Sequence, residues 1–305
     1  MLKLEKINYS GWPNCLKLSN AYVELVATTD IGPRLLHFGW NGSRESLFYL
    51  DPATAGQTGG DEWHAYGGHR FWHGPEIMPR TYVPDNAPIQ HEWDGQVLRL
   101  IPATEQLTGM QKIVEVELHE TDPMVTVRHI LVNHGPWEVS AAPWALTVLA
   151  PGGTAILPQE PFVPFPEALL PARPLVLWQY TDMADPRLTW ESRFAALRQD
   201  ADAKAPVKIG IRNSVGWGAF AKGDTVFIKK TVLDPAATYP DFGCNWETYT
   251  DSHFLELETL GPLAPIAAQG GKVEHREEWS LAKINDANDI KGTYQQVENF
   301  VKSRR

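Results

Sequence analysis

Apolar and polar residues alternate in short segments along most of the chain. Segments 113–119 and 124–132 alternate with a period of two, and the turn-forming segment Glu120–Pro123 separates them, which predicts an antiparallel hairpin. Further β-forming segments are residues 22–27, 34–40, 96–101, 207–211, 225–230, 253–258 and 272–281. The 24 Pro and 24 Gly mark frequent turns between them. Many short strands divided by turns predict a mainly β sandwich rather than alternating strands and helices.

Two segments have the features of helices. Asp185 is a good capping residue and Pro186 suits the first helical position, which predicts a helix that continues to about Gln199. Near the end of the chain, apolar residues recur at spacings of four, three and four, at Ile290, Tyr294, Val297 and Val301. This spacing predicts a helix that runs from about Asn288 to the end of the chain and packs on the sheet.

The charge and the distribution of apolar residues exclude several classes of partner. The formal net charge is -10 and no basic run occurs, so we expect no nucleic-acid partner. No stretch of about 18 apolar residues is present, so we expect no membrane span. The first residues lack the apolar core of a signal peptide, and we expect a cytoplasmic protein. Cys15 and Cys244 predict two buried thiols, with a disulfide as the alternative.

The segment Tyr66–Glu76 combines histidines, an arginine, a carboxylate, aromatic residues and glycines. Charged groups hydrogen-bond hydroxyl groups and an indole stacks on an apolar face, so we predict that the segment lines a site for a polar, hydroxylated ligand. If it is a strand, residues 69, 71 and 73 share one face and residues 70, 72, 74 and 76 share the other. Two alternatives are a metal site at His69 and His73, and a buried polar cluster in which Arg70 pairs with Glu76.

Two later segments supply further carboxylates. Glu256 and Glu258 point to the same face of a predicted strand, where their repulsion would keep one of them protonated near neutral pH, a useful state for proton transfer. The alternative is that both carboxylates face water. Segment 240–249 gathers Asp241, Trp246 and Glu247, and it is either the rim of the same pocket or a structural turn.

The chain contains 12 tryptophans, which is above ordinary usage. Aromatic rings stack on the C–H faces of sugars, so this number favours carbohydrate binding, with a tryptophan-rich core as the alternative. Trp63, Trp72 and Trp246 lie among polar residues, which favours a ligand-binding role for these three. Trp144 lies in an almost wholly apolar segment, where it either packs in the core or forms the floor of a pocket.

Several of these segments together resemble the galactose-mutarotase-like superfamily and, within it, a bacterial family of unassigned function. The matching stretches span nearly the whole chain and are residues 67–72, 75–76, 84–86, 142–147, 208–210, 239–241 and 254–262. The resemblance implies a large antiparallel β-supersandwich with a few short helices, a C-terminal helix and a sugar cleft on one sheet face. It also implies one domain that covers residues 1–305.

The resemblance also implies a mechanism. Aldose 1-epimerases of this superfamily open the sugar ring with a glutamate base on a late strand and a histidine acid on a central strand. Glu258 matches the glutamate, and His69 lies where these enzymes carry a histidine near paired glycines. The segment of their acid histidine best matches Ala142–Trp144, where Trp144 cannot act as an acid. Either His69 or His73 therefore supplies the proton, or the ring-opening chemistry is absent.

The sequence therefore predicts an aldose 1-epimerase-like isomerase that acts on a free sugar. The alternative functions are a non-catalytic sugar-binding protein of the same fold and a metal-assisted lyase or hydrolase that uses His69, His73 and Glu76. We expect no cofactor and no metal, a small-molecule carbohydrate as the partner, and a monomer or homodimer. The predicted catalytic residues are Glu258, His69 and His73, and the predicted substrate-binding residues are Arg70, Trp72, Glu76, Asp85, Trp144, Asp241, Trp246 and Glu256.

Overall fold

The computed structural model describes residues 2–43 and 45–304 and is built mainly from antiparallel strands. The strands are β1 (Lys3–Tyr9), β2 (Trp12–Ser19), β3 (Val23–Thr28), β4 (Arg34–Trp40), β5 (His69–Gly74), β6 (Gln90–Trp93), β7 (Val97–Ile101), β8 (Met110–Leu118), β9 (Met124–Asn133), β10 (Val139–Leu149), β11 (Thr154–Pro158), β12 (Leu175–Leu177), β13 (Leu188–Trp190), β14 (Phe194–Arg198), β15 (Val207–Ile211), β16 (Trp217–Lys222), β17 (Thr225–Lys230), β18 (Trp246–Thr250), β19 (Leu255–Leu260), β20 (Ala264–Ile266) and β21 (Gly271–Lys283). The helices are α1 (Pro240–Gly243) and α2 (Ile290–Ser303).

These strands form two large sheets. The first sheet has the order β1-β2-β3-β4-β5-β10-β19-β18-β15-β12, with β20 paired to β10. The second sheet has the order β13-β14-β11-β16-β17-β21-β9-β8-β7-β6. The predicted hairpin is confirmed as β8 and β9, which pair from Met110 opposite Asn133 to Leu118 opposite Val125. In the first sheet, β5, β10 and β19 lie next to one another although they are far apart in sequence.

The main hydrophobic core fills the space between the sheets. Leu25, Phe38 and Phe71 of the first sheet belong to the same buried cluster as Phe227 and Trp279 of the second sheet. Phe38 contacts both Phe227 and Trp279, with ring centroids 6.0 and 5.9 Å apart. The side chains that alternate with these core residues along each strand therefore lie on the outer faces of the sandwich.

The predicted C-terminal helix is confirmed as α2. The side chain of Asp289 accepts a hydrogen bond from the backbone N–H of Gly292 and caps its first turn. Tyr294, Val297 and Val301 are buried, and Tyr294 stacks on Phe194 of the second sheet with ring centroids 4.7 Å apart. Within the described residues, neither helix is long and apolar enough to cross a membrane.

The helix predicted from Asp185 to Gln199 is wrong, because this segment forms β13 and β14. The side chain of Asp185 does not cap a helix but accepts hydrogen bonds from the backbone and the guanidinium of Arg187, which closes a turn. Residues 194–197 are all buried and pair with β11, so their continuous apolar run belongs to a covered strand. Cys15 and Cys244 are both buried free thiols, as the first alternative predicted.

Candidate functional site

Five adjacent strands bring polar and aromatic side chains together on the outer face of the first sheet. Residues that lie directly opposite each other in a sheet project to the same face. Leu146 of β10 lies opposite both Arg70 of β5 and Glu258 of β19, and Glu258 lies opposite Glu247 of β18. Two further rows on this face are Trp72 with Trp144, and Glu256 with Tyr249 and Lys208. We call Arg70, Trp72, Trp144, Lys208, Glu247, Glu256 and Glu258 the outer-face site.

Glu258 lies at the centre of the outer-face site and is completely buried. Its Oε2 atom accepts a hydrogen bond from Trp144 Nε1 at 2.9 Å and one from Lys208 Nζ at 3.1 Å. Its Oε1 atom has no hydrogen-bond partner. The indole and the ammonium therefore fix the orientation of the carboxylate and leave one oxygen available to a ligand.

Three ion pairs neutralise the two cations of the outer-face site. Lys208 Nζ lies 2.8 Å from Glu247 Oε2 as well as 3.1 Å from Glu258 Oε2. Arg70 pairs with Glu256, with 2.9 Å between the guanidinium nitrogen and Oε1. One alternative from the sequence was that Arg70 pairs with Glu76. Arg70 instead pairs with Glu256 of β19.

Burial and charge shift the proton affinities of the site in different directions. Burial raises the pKa of Glu247 well above its usual range, and the neighbouring Glu258 raises it further, against the opposing effect of Lys208. Burial also raises the pKa of Glu256, while Arg70 opposes this. Burial alone would lower the pKa of Lys208, but Glu247 and Glu258 hold it well above its usual range. The ammonium therefore stays charged, while Glu247 tends to hold a proton.

Aromatic side chains surround these charged groups. The Trp72 ring contacts the Trp144 ring edge-on, with 5.4 Å between centroids, and Arg70 lies over Trp72 at 4.5 Å. Lys208 lies over both Trp144 and Trp178, at 4.8 and 4.7 Å from their centroids. Trp63 and Tyr82 pack against Trp72 from the outside, with centroids 5.5 and 4.9 Å away. The site is thus a charged floor enclosed by aromatic rings.

The structure places His69 and His73 on the other face of the same sheet, between the two sheets. His69 lies opposite Thr147 and His73 lies opposite Pro143, which puts both on the face that alternates with Arg70 and Trp72. Both are buried, and burial lowers the pKa of His73 to about 3 and that of His69 well below its usual range. The expectation that one of them stands beside Glu258 as the acid is therefore wrong, because the strand alternation points them away from it.

His69 belongs to a hydrogen-bonded network inside the sandwich. Its Nδ1 lies 2.8 Å from Thr147 Oγ1 and its Nε2 lies 2.7 Å from His129 Nε2. His129 Nδ1 in turn lies 3.2 Å from the carbonyl oxygen of His275. Glu277 accepts hydrogen bonds from Lys229 Nζ and Trp279 Nε1 in the same layer. This network connects the inner faces of the two sheets.

Metal ligation receives no support from this geometry. His69 and His73 face the interior while the exposed Glu76 accepts a hydrogen bond from the Tyr82 hydroxyl outside the sheet, so the set proposed for a metal-assisted enzyme is not assembled. Of the described residues, His69, His129 and Glu277 have potential ligand atoms within 4.8 Å of one another. However, two imidazole nitrogens on one zinc ion lie about 3.3 Å apart, and the 2.7 Å separation found here is that of a hydrogen bond.

Four other residues that the sequence predicted to bind substrate lie outside the outer-face site as defined above, and they are Trp246, Asp85, Asp241 and Glu76. Trp246 is completely buried in the core between the sheets, so its predicted role in ligand binding is wrong. Asp85 pairs at 2.6 Å with Arg34 of β4, the strand next to that of Arg70, and Arg34 donates a hydrogen bond to the carbonyl oxygen of Gly67. Asp241 is half-buried close to Glu247, and burial raises its pKa. Glu76 lies at the rim of the outer-face site, where it accepts a hydrogen bond from the hydroxyl of Tyr82, whose ring contacts Trp72.

Sequence reasoning did not identify Lys208 and Trp178 as site residues, and it placed Glu247 only in a segment that is either a pocket rim or a structural turn. Two sequence signals point to Lys208 and Glu247. Lys208 interrupts an otherwise apolar strand of five buried residues. Glu247 and Tyr249 alternate along β18 with Trp246 and Thr248, and they lie in register with Glu258 and Glu256. Only the pairing of β18 with β19 shows that these two alternations share a face.

Solved structures show which fold this architecture represents. A galactose mutarotase-like protein from Lactobacillus casei matches 88% of this chain and 100% of its own, with 10% identity and a TM-score of 0.57. A second galactose mutarotase-like protein, from Clostridium acetobutylicum, matches 93% of this chain and 99% of its own, with 8% identity and a TM-score of 0.53. A TPR-domain containing protein from Parabacteroides distasonis matches 90% of this chain at 14% identity and a TM-score of 0.59, but only 48% of its own length.

The chain therefore has the galactose-mutarotase-like fold, as the sequence predicted. The identities are too low to show more than the fold. No protein-family model and no curated protein matches the sequence.

Proposed function

We propose that this chain binds a free sugar at the outer-face site and interconverts its anomers, as an aldose 1-epimerase-like isomerase. The observation that carries the proposal is the state of Glu258. This carboxylate is completely buried and held by Trp144 and Lys208, yet Oε1 has no partner. A buried acceptor without a donor costs about 1–3 kcal/mol, and a hydroxyl group of a ligand would supply that donor.

The aromatic rings around Glu258 fit the same ligand class. Trp72, Trp63 and Tyr82 form a connected group of rings over Arg70. Pyranose rings present apolar C–H faces to such rings and polar hydroxyl groups to carboxylates and guanidinium groups. Arg70 and Glu256 would hydrogen-bond ring hydroxyls while Trp72 packs against the apolar face.

The chemistry requires one base and one acid. Glu258 accepts the proton of the anomeric hydroxyl while a second group protonates the ring oxygen, so that the bond between the anomeric carbon and the ring oxygen breaks. Rotation about the next carbon–carbon bond and the reverse transfer give the other anomer. The orientation of Glu258 by two donors supports its role as the base, because a fixed carboxylate needs little reorganisation.

Polarimetry tests this function. The protein should accelerate mutarotation of at least one freshly dissolved common aldose, and Glu258→Gln should lower the rate by about 10²–10⁴-fold, because an amide cannot take the proton. Glu274→Gln is the matched control, since Glu274 is exposed on the second sheet and pairs with Lys272. Full activity of Glu258→Gln would contradict the role of Glu258 as the base.

The second candidate is a sugar-binding protein without catalysis. Lys208 pairs directly with Glu258, and a neutralised carboxylate is a weaker base, which favours this alternative. In the sequence resemblance, Trp144 also lies in the segment that best matches the one in which epimerases carry their acid histidine. If aldoses raise the melting temperature of the protein but none mutarotates faster than in buffer, the binding function is correct and the isomerase is not.

A further inference from the structure

We infer that Glu247, and not a histidine, is the proton donor that acts with Glu258 at the outer-face site. The inference rests on the proposed isomerase function and assigns it a further catalytic residue. Neither His69 nor His73 can take this part, since both face the interior between the sheets. The donor must therefore come from the outer face, close to Glu258 and to the same ligand.

The register of the sheet places Glu247 next to Glu258. The two residues lie directly opposite each other on β18 and β19. Cβ atoms of such cross-strand partners are about 4.5–5.5 Å apart and their side chains leave the sheet in parallel. Two carboxyl groups in this arrangement can reach the two oxygen atoms attached to a single anomeric carbon, which is what acid and base require.

Charge balance indicates that the two carboxyl groups share one proton. Both are completely buried, and they share one counter-ion, Lys208, which lies 2.8 Å from Glu247 and 3.1 Å from Glu258. Two carboxylates and one ammonium would leave a net negative charge in a site enclosed by aromatic rings, and an unbalanced buried charge is expensive. One bound proton removes that charge.

The hydrogen bonds show which carboxyl group carries the proton. Glu258 accepts bonds from Trp144 and Lys208, which favour its ionised form. Glu247 is paired with Lys208 through Oε2 alone, its Oε1 is buried without a hydrogen-bond partner, and Asp241 lies close by as a second negative group. The direction of the pKa shift of Glu247 agrees with this assignment. Two neighbouring carboxyl groups whose environments differ in this way are suited to the roles of acid and base.

The ring-opening step is then balanced within this pair. The carboxylate of Glu258 takes the proton from the anomeric hydroxyl, and the electron pair of that O–H bond forms the aldehyde C=O bond. The bond between the anomeric carbon and the ring oxygen breaks, and its electron pair takes the proton of Glu247. Glu258 is now protonated and Glu247 is ionised. Ring closure onto the other face of the aldehyde reverses both transfers and restores the starting state.

Lys208 explains how the site supports both halves of this exchange. The pair of carboxyl groups carries one negative charge before and after ring opening, and only its position changes. Lys208 contacts both groups at similar distances, so it stabilises the charge in either position without moving. Fixed dipoles and charges that need no reorganisation are the main source of electrostatic catalysis.

Two measurements test the inference. Glu247→Gln should lower the mutarotation rate by about 10²–10⁴-fold. Its circular dichroism spectrum should remain that of the folded protein, and the control variant Glu274→Gln should keep the wild-type rate. The double variant Glu247→Gln/Glu258→Gln should be no slower than the slower single variant, because acid and base act in one step. In infrared difference spectra at pH 7, the wild type should show the carbonyl stretch of one protonated carboxyl group. Glu247→Gln and Glu258→Gln should each lose it, because the remaining carboxylate then balances the charge of Lys208.

Each result decides the question. An active wild type with a fully active Glu247→Gln variant overturns the role of Glu247 and leaves the isomerase function intact. A wild type without a protonated-carboxyl band contradicts the shared proton and also overturns the role of Glu247 as the acid. A wild type that accelerates no aldose refutes the proposed function, and the role of Glu247 as its acid falls with it.

Discussion

At the residue scale, the buried ion pair of Lys229 and Glu277 is the most demanding feature inside the sandwich. Both side chains are completely buried and 2.8 Å apart. Burial acts to raise the pKa of Glu277, but Lys229 and the neighbouring His69, His129 and His275 together hold this pKa well below its usual range. Trp279 Nε1 and the Thr259 hydroxyl donate further hydrogen bonds to the carboxylate. The pair is stable as a unit, and each partner alone would be a buried uncompensated charge.

Lys229→Met should lower the free energy of unfolding by about 3–5 kcal/mol, because it leaves Glu277 ionised and unpaired in the interior. Urea denaturation followed by circular dichroism measures this value. The neighbouring Lys230→Met provides the control, since Lys230 pairs with Glu278 at the surface and should cost less than about 1 kcal/mol. Adding Glu277→Gln to Lys229→Met should recover part of the loss, and equal effects of the two lysine substitutions would contradict the prediction.

The residues of the site illustrate how far sequence alternation reaches. It correctly predicted that Glu256 and Glu258 share one face and that residues 69, 71 and 73 share the face opposite to residues 70 and 72. Sequence alternation could not show whether Glu258 shares a sheet face with residues 69, 71 and 73 or with residues 70 and 72. That relation depends on the pairing of β5 with β10 and of β10 with β19, across separations of many residues.

At the element scale, α2 stabilises the outer face of the second sheet. Tyr294 stacks on Phe194 and contacts Trp217, while Val297 and Val301 belong to the same buried cluster. The predicted helix of residues 185–199 had a comparable capping signal but failed, because its apolar residues pair with β11. The regular spacing of four, three and four distinguishes α2 from that segment, where the apolar residues run consecutively.

Tyr294→Ala should lower the free energy of unfolding by about 3–5 kcal/mol, because it removes a buried aromatic ring from between α2 and the sheet. Chemical denaturation gives the value, and Asn299→Ala on the exposed side of the same helix should change it by less than about 0.5 kcal/mol. A small effect of Tyr294→Ala would show that α2 contributes little to the stability of the sandwich.

At the scale of the whole molecule, five buried histidines among the described residues make the fold sensitive to acid. Burial is the main cause in each case: it lowers the pKa of His129 to about 4 and those of His73 and His275 to about 3, it lowers that of His37, and it holds the pKa of His69 well below its usual range. In the unfolded chain these groups take up protons below about pH 6.5. The unfolded state therefore binds more protons than the folded state between about pH 6 and pH 4, and acid favours unfolding.

The free energy of unfolding should fall with decreasing pH in this range by about 1.4 kcal/mol per pH unit for each buried histidine. His73→Leu should reduce the slope by that amount, because both ring nitrogens of His73 lack hydrogen-bond partners and the leucine does not titrate. Urea titrations at pH 6, 5 and 4 measure the slopes. His253→Leu, which removes an exposed imidazole, should leave the slope unchanged, and an unaltered slope in His73→Leu would refute the account.

The sequence by itself determined the class of the fold, the hairpin of β8 and β9, the C-terminal helix and the shared face of Glu256 and Glu258. All of these follow from local periodicity, because alternation and helical spacing depend only on neighbouring residues. The tertiary structure decided which strands lie side by side. Strand pairing places His69, His73 and Trp246 in the interior between the sheets, and it places Lys208 and Glu247 next to Glu258. Such long-range pairing depends on how all the strands bury their apolar faces together, and no short segment contains that information.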